Sequence, residues 1–473
     1  MSIGRSGLGA SKQALETTSH NISNANNEGY SRQRVDQISS DPIRKNGIIV
    51  GTGTQIRGVN RVEDRLIEKK ILGNQSSHSF FKERHGQLSQ VQEIFNEIDT
   101  EGLNLLMNKF FNSFRSLANE PENESLKSIV RDNANLVVSD FNRIGRSLID
   151  QSNAIDQSIR LKVDNINYHA KKIAGLNLRI AQLESSGDST GDLRDQRDNE
   201  IRDLSKIIKV NTYIDNRRNF VVNADGIGSI VSAGNTLELI TKGVPRKDST
   251  DDKAGSIEIF YKAKPKTPIT KKFTGGELSS LIKTRNEDLY QLKQDMDKIA
   301  YEFSKEVNSV HRKGFKKTTN IPDSLSGDQI NFFNELDEKR DAILNLEISG
   351  EVLSDLENLV TSSAPGSAGN NEIALEISNL QYKKILDNNQ ASLEESFLKT
   401  VGNIGLKTGK AEIEAEQTEG ILAQNKSIKE RITGVSLDEE AANLVKYQNT
   451  YQASAKVIQA AEEMFNTVIN LGS

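Results

Sequence analysis

Apolar positions along this chain recur mainly at the three-and-four spacing of helices. Ile159, Val163, Ile166, Ala170 and Ile173 step by 4, 3, 4 and 3, and Leu176, Ile180 and Leu183 continue that heptad seam after one shortened step. No proline falls between Pro121 and Pro245, and proline disfavours a helix interior by about 3 kcal/mol. The pattern predicts one long helix over 123–184, a loop at 185–191, and a short helix through Leu193, Ile201 and Leu204. From 276 to 311, Leu278, Leu281, Leu289, Leu292, Met296, Ile299, Phe303 and Val307 share one broad face. Two more helices are predicted at 388–432 and 437–471.

The period changes between 207 and 274. Runs at 208–214 and 219–222 are rich in β-branched residues, 224–228 reads as a turn, and strand-like runs follow at 229–240 and 257–262. This predicts a small β domain inserted between helices, with the basic, proline-bearing stretch 262–272 as its exit loop. A separate hairpin is expected at 47–57. Its Gly47, Gly51 and Gly53 suggest a phosphate loop, but no Gly-Lys-Ser/Thr follows. The segment 314–371 is less regular, and 361–370 reads as a flexible linker.

Both ends of the chain are patterned for burial. In the last helix Ser436 precedes Leu437-Asp438-Glu439, so Ser436 as N-cap and Glu439 three residues on predict a capping box. Two adjacent stripes then run along it. One holds Leu437, Leu444, Tyr451, Ile458 and Phe465; the other holds Tyr447, Val457, Met464, Val468 and Leu471. The first helix, over 2–24, carries Leu8, Ser11, Leu15, Thr18 and Ile22 and stops in an Asn-rich turn before Tyr30. The simplest pairing sets first helix against last in a coiled coil. Two stripes exceed what one partner covers, so the pattern alone fits a polymer or a plain intramolecular bundle equally well.

Composition narrows the function. The 473 residues include no Cys and no Trp, and 5% are aromatic against 27% charged, which argues for an elongated molecule with thin cores. A net charge of −5 gives no electrostatic reason to expect nucleic acid as a partner. No apolar run approaches the roughly 20 residues of a membrane span, so no membrane insertion is expected. The N-terminus lacks the apolar core of a secretory signal. His20, His78, His85, His169 and His311 are scattered without a zinc-site spacing, so neither metal nor cofactor is expected. Asp188, Asp192, Asp195 and Asp198 alternate with Arg194, Arg197 and Arg202, which reads as a solvated, ion-paired helix face.

The N-terminal stretch GLGASKQALETTSHNISNANNEGYSRQRV and the C-terminal stretch GVSLDEEAANLVKYQNTYQASAKVIQAAEEMFNTVINL resemble the two signatures of the flagellar axial proteins, the rod, hook and hook-associated subunits. Gly29-Tyr30-Ser31-Arg32-Gln33 and Leu437-Asp-Glu-Glu440 are similar to the hook-associated branch, as are the stretches at 193–211, 306–314 and 327–333. A large β insertion common in the family after 327–333 has little room here. The resemblance implies a structural subunit, not an enzyme, placed between hook and filament in the extracellular flagellum. It also implies export through the flagellar type III apparatus without a cleaved signal. Implied partners are further copies in a ring-like zone, the hook protein, a second hook–filament junction protein, and an export chaperone on the C-terminal helix. A hook or rod subunit remains the alternative, and an enzyme built on the β domain a more distant one.

The expected fold is mainly α and elongated: a terminal coiled coil from 1–40 with 434–473, a long helical bundle from 41–206 with 275–433, and a small inserted β domain at 207–274. The expected assembly interface is Leu8, Leu15, Ile22, Leu437, Leu444, Tyr451, Ile458, Phe465, Val468 and Leu471.

Overall fold

A computed structural model describes residues 2–45, 47–95, 102–243, 256–317, 327–367 and 369–471. Helix dominates, as the periodicity predicts. The helices are α1 (Ser2–Ser23), α2 (Arg65–Glu93), α3 (Leu103–Asn119), α4 (Glu124–Ser185), α5 (Gly191–Ile207), α6 (Gly276–Lys283), α7 (Tyr290–His311), α8 (Ala342–Asn345), α9 (Gly350–Ser354), α10 (Glu372–Asn379), α11 (Leu393–Thr433) and α12 (Leu437–Leu471). A one-turn π segment, Thr284–Leu289, joins α6 to α7, so the predicted helix over 276–311 is continuous but locally over-wide. The strands are β1 (Gln33–Ser39), β2 (Ile43–Lys45), β3 (Ile48–Val50), β4 (Thr54–Arg61), β5 (Val210–Ile214), β6 (Phe220–Ala224), β7 (Gly228–Ser232), β8 (Asn235–Thr236), β9 (Leu239–Gly243), β10 (Ile257–Tyr261) and β11 (Lys264–Pro268).

The 62 residues of α4 make a rod of about 93 Å at 1.5 Å per residue. Its start is capped by Asn123, whose side chain accepts from the Ser125 and Leu126 N–H groups. Ile159, Val163, Ile166, Ala170 and Ile173 are all buried, and the seam continues through Asn177 and Ile180. Helix α11 runs antiparallel to α2, with Phe397 beside Phe95 at one end and Lys429 3.1 Å from Glu68 at the other. The capping box appears at α11, where Ser392 and Glu395 reciprocate.

Low aromatic content does not give separate thin cores. One continuous core runs from Leu72 to Ile404, because seven of the 16 phenylalanines gather in a knot. Phe110 meets Phe111, Phe114, Phe303, Phe332 and Phe333 at centroid distances of 5.2–6.2 Å. Phe141 joins through Phe303. Residues from four separated segments thus meet at one end of the bundle.

The inserted β region forms two antiparallel sheets, β5-β6-β7-β8 and β9-β10-β11. It is fastened to α4 by Asn167, which exchanges two hydrogen bonds with the Leu239 backbone at 2.8 and 2.9 Å, and by Asn177, which donates to the Ala233 carbonyl at 3.0 Å. Three readings change. The stretch 262–272 contains edge strand β11 rather than only an exit loop; its Pro265 and Pro268 suit an edge that needs no full ladder of donors. The hairpin is longer than expected: 47–57 splits between β3 and β4, which pair back onto β2 and β1, so one interrupted ribbon spans 33–61. Finally, 361–370 is anchored at its start, with Thr361 and Ser362 buried and the Ser362 carbonyl accepting from Phe315 N–H at 2.9 Å, while 365–367 are exposed; Ala368 lies outside the described residues.

Candidate assembly interface

Helices α1 and α12 pair antiparallel. A Cβ on Gly4 would stand 2.9 Å from Ile458 Cγ1, and one on Gly7 would stand 2.9 Å from Ser454 Oγ. At the other end of the pair, Arg32 reaches the first turn of α12. The centre line of α1 is Gly4, Gly7, Ser11, Ala14, Thr18 and Asn21, a heptad spacing built from small residues. Small side chains let the two backbones approach closely, and glycine is required where α12 presses nearest. Ala10 and Thr17, also buried, lie off that line. The β1–β4 ribbon lies alongside α1 as well, where Thr54 N–H donates to Ser6 Oγ at 3.3 Å.

The expected interface residues divide. Leu8, Leu15 and Ile22 are half-buried shoulders beside the small-residue line, and Leu444 and Ile458 are half-buried against α1. Leu437, Tyr451, Phe465, Val468 and Leu471 are exposed, the last at 83%. Only Glu440 of α12 is fully buried. Half-buried Leu444, Tyr447, Ser454, Ile458 and Ala461 show that α1 covers the groove between the two predicted stripes, leaving both flanks open. Beyond Ala461, α12 overhangs the start of α1 and exposes Met464, Phe465, Val468, Ile469 and Leu471.

A polar knot mounts this pair on the bundle. Asn21, 1% exposed, donates to the Gln33 carbonyl at 2.9 Å, while its Oδ1 accepts from Gln33 N–H at 3.0 Å and from Tyr30 Oη at 2.7 Å. Burial, with Asp192, Asp195 and Glu440 nearby, pushes the Tyr30 hydroxyl pKa well up, so it stays a donor. Ser31 N–H donates to Asp195 at 3.0 Å, and Gln33 Nε2 donates to Asp192 at 2.7 Å. Arg61 donates to Asp195 at 2.8 Å and lies 2.7 Å from Asp198 and 2.8 Å from Glu63. Burial opposes the Arg61 charge, but Asp198, Glu63 and Asp195 outweigh it and raise its pKa. Burial raises the Asp195 carboxyl despite those partners. The acidic stretch of α5 is therefore ion-paired as expected and only partly solvated: Asp188 and Asp192 are exposed, but Asp195 is buried under the N-terminal segment and Arg197 against Phe220.

Arg32 closes the knot. Its backbone N–H donates to the Thr433 carbonyl at 2.9 Å, tying the turn to the end of α11, and its guanidinium donates to Glu440 at 2.7 Å and Glu439 at 2.6 Å. Ser436 Oγ accepts from Glu439 N–H at 3.5 Å, but the Glu439 carboxylate turns to Arg32. The predicted capping box is thus given up for a contact across the chain.

The family models match both parts of this architecture. The model described as flagellar hook-associated protein FlgK helical domain matches residues 88–325, and that of the flagellar basal body rod FlgEFG protein C-terminal matches 431–471. The chain belongs to the FlgK family of flagellar hook-associated proteins. Its role is that of a structural protein of the flagellum. It is 28% identical over 496 residues to flagellar hook-associated protein 1 of Bacillus subtilis (strain 168), covering 98% of this chain and 96% of that one. It is 25% identical over 547 residues to flagellar hook-associated protein 1 of Escherichia coli (strain K12), covering 98% of each. The flagellar hook junction protein FlgK of Burkholderia pseudomallei shares the fold with a TM-score of 0.65 at 13% identity, over 78% of this chain and 100% of that one. No helix among the described residues is long and apolar enough to cross a membrane.

Proposed function

We propose that this chain is the subunit that joins hook to filament, and that it acts without catalysis. The observation that carries this reading is the half-covered α12. A helix of 35 residues with one buried side chain leaves its apolar flanks and its last turns in water, and neighbouring subunits are the natural cover. On this reading Leu437, Tyr451, Phe465, Val468 and Leu471 face other subunits, while Leu8, Leu15, Ile22, Leu444 and Ile458 hold the pair together. The terminal pair (1–40 with 434–473) acts as a domain of its own, carried on a bundle (41–206 with 275–433) and a β unit (207–274) that share one core. The partners are further copies, the hook protein and a second junction protein. Before assembly an export chaperone holds α12, and the chain leaves through the flagellar type III apparatus.

A rod or hook subunit is the second reading, favoured by the match of 431–471 to the rod family's C-terminal model. Electron microscopy of cells lacking the gene separates the two. Finished hooks without filaments, with flagellin shed into the medium, are expected; missing hooks would move the chain to rod or hook.

A further inference from the structure

A cavity of about 600 Å³ lies between the start of α2, the last third of α4, the α5 face and the β5–β6 hairpin. Its walls are partly apolar, from Leu66, Ile180, Ile214 and Phe220. Every carboxylate that reaches it is already held. Glu63 is taken by Arg61 and Arg65, Glu184 by Arg194, and Asp198 by Arg61 at 2.7 Å. Glu68 is held by Arg202 at 2.8 Å and Lys429 at 3.1 Å, and Asp64 caps α2.

Arg197 is different. It is 7% exposed: its Nη1 donates to Asn177 Oδ1 at 3.4 Å, its Nε stands 3.7 Å from Asp198 with no hydrogen-bond partner and is closed off from the cavity, and no hydrogen bond takes its Nη2 among the described residues. Its guanidinium carbon sits 3.6 Å from the centroid of Phe220, so the cation packs on the ring and its Nη2 end is left for something else. Burial lowers its pKa, the mark of a charge without full compensation. At the exposed rim, Lys69 and Arg218 have no ion-pair partner among the described residues.

We propose that this cavity binds a carboxylate borne on a partly apolar body, with the Arg197 guanidinium edge as its anchor and Lys69 and Arg218 as the entry charges. The Nη1–Nη2 end of a guanidinium facing a carboxylate makes paired N–H···O bonds, a closer anion than Asp198 offers at 3.7 Å. A free polycarboxylate and an aspartate or glutamate delivered by a neighbouring subunit offer the same chemistry. Either would brace the β unit against the start of α2, close to the mount of the terminal pair.

The test has two arms. In the first, citrate replaces chloride at constant ionic strength while the thermal midpoint of the full chain is read. The wild type should gain about 2–4 °C with a saturable dependence, and Arg197→Met, which keeps an apolar contact with Phe220, should gain nothing. The double variant Lys69→Gln with Arg218→Asn changes only exposed positions; its citrate midpoint should rise about tenfold even if Arg197→Met does not fold. This arm does not depend on the proposed function. The second arm rests on that function and reads incorporation of the same variants into flagella. A flat citrate response with lost incorporation assigns the carboxylate to a neighbouring subunit. A flat citrate response with normal incorporation of the rim variant overturns the proposal.

Discussion

Arg32 Nε and Glu440 Oε1 lie 2.7 Å apart across 408 residues of chain, and Glu440 is 2% exposed. The pair forms where four segments converge: the end of α11, the first turn of α12, the turn after α1, and β1. A carboxylate so buried depends on its guanidinium, whereas Glu439 on the same arginine is largely solvated. Glu440→Ala should therefore cost about 2 kcal/mol and Glu439→Ala less than about 0.5 kcal/mol. A double-mutant cycle with Arg32→Ala should return a coupling near 1 kcal/mol or above for Glu440. A coupling near zero would show that the contact does not hold the terminal pair.

Two glycines of α1 should respond in opposite ways to the same substitution. Gly9 has nothing within 4 Å of a Cβ, so Gly9→Ala should add helix propensity and stabilise α1 by up to about 1 kcal/mol. Gly4→Ala gains the same propensity but drives a methyl to 2.9 Å from Ile458, and α12 must shift away. Hydrogen exchange along α12 is the direct readout: slower in Gly9→Ala, faster in Gly4→Ala. Equal slowing in both would mean that the helices do not touch at Gly4.

Much of the helical frame was legible because α4, α7, α11 and α12 each repeat one period over many turns. The interface was half legible. Leu8, Leu15 and Ile22 drew attention by size, while the residues that actually centre the contact, Gly4, Gly7, Ser11, Ala14, Thr18 and Asn21, are small. Their heptad spacing was present in the sequence, but a hydrophobicity pattern passes over glycine and serine. The knot was not legible at all. Arg61–Asp195 and Arg32–Glu440 join residues 134 and 408 positions apart, and no local period encodes such a pairing. For the same reason Asp195 looked as solvated as Asp188 and Asp192, since its cover comes from the N-terminal segment.

The buried ring of His311 should make stability fall in mild acid. Its Nδ1 lies 2.9 Å from the Ile330 carbonyl, and its Nε2 accepts from Val360 N–H at 3.2 Å, so the neutral ring satisfies both backbone groups. Burial, with Lys127 adding to it and the Ile330 contact opposing, lowers the pKa from 6.5 to about 4. Above pH 6.5 the ring is neutral in both states and contributes no pH dependence. Between 6.5 and 4 the unfolded chain takes up a proton that the folded chain refuses, so stability drops by roughly 3 kcal/mol in total and then levels. His311→Gln should remove about one proton from the slope of unfolding free energy against pH in that window. Parallel curves for the two proteins would exclude the ring as the titrating group.

Two charge insertions on α12 separate folding from assembly. Ile458 is half-buried against Gly4 within the chain, whereas Phe465 is 58% exposed on the overhang. Phe465→Asp puts a carboxylate where the isolated chain has water, so its unfolding free energy should stay within about 0.5 kcal/mol of the parent. If neighbouring subunits cover that position in the flagellum, the same carboxylate is buried there without a partner and incorporation should collapse. Ile458→Asp should lose in both assays, because its cover is partly its own α1. Midpoints from calorimetry set beside incorporation scored by microscopy give the comparison. Phe465→Asp subunits that build normal filaments would place the overhang in solvent in the assembled state too, and the proposed role of its apolar face would fall.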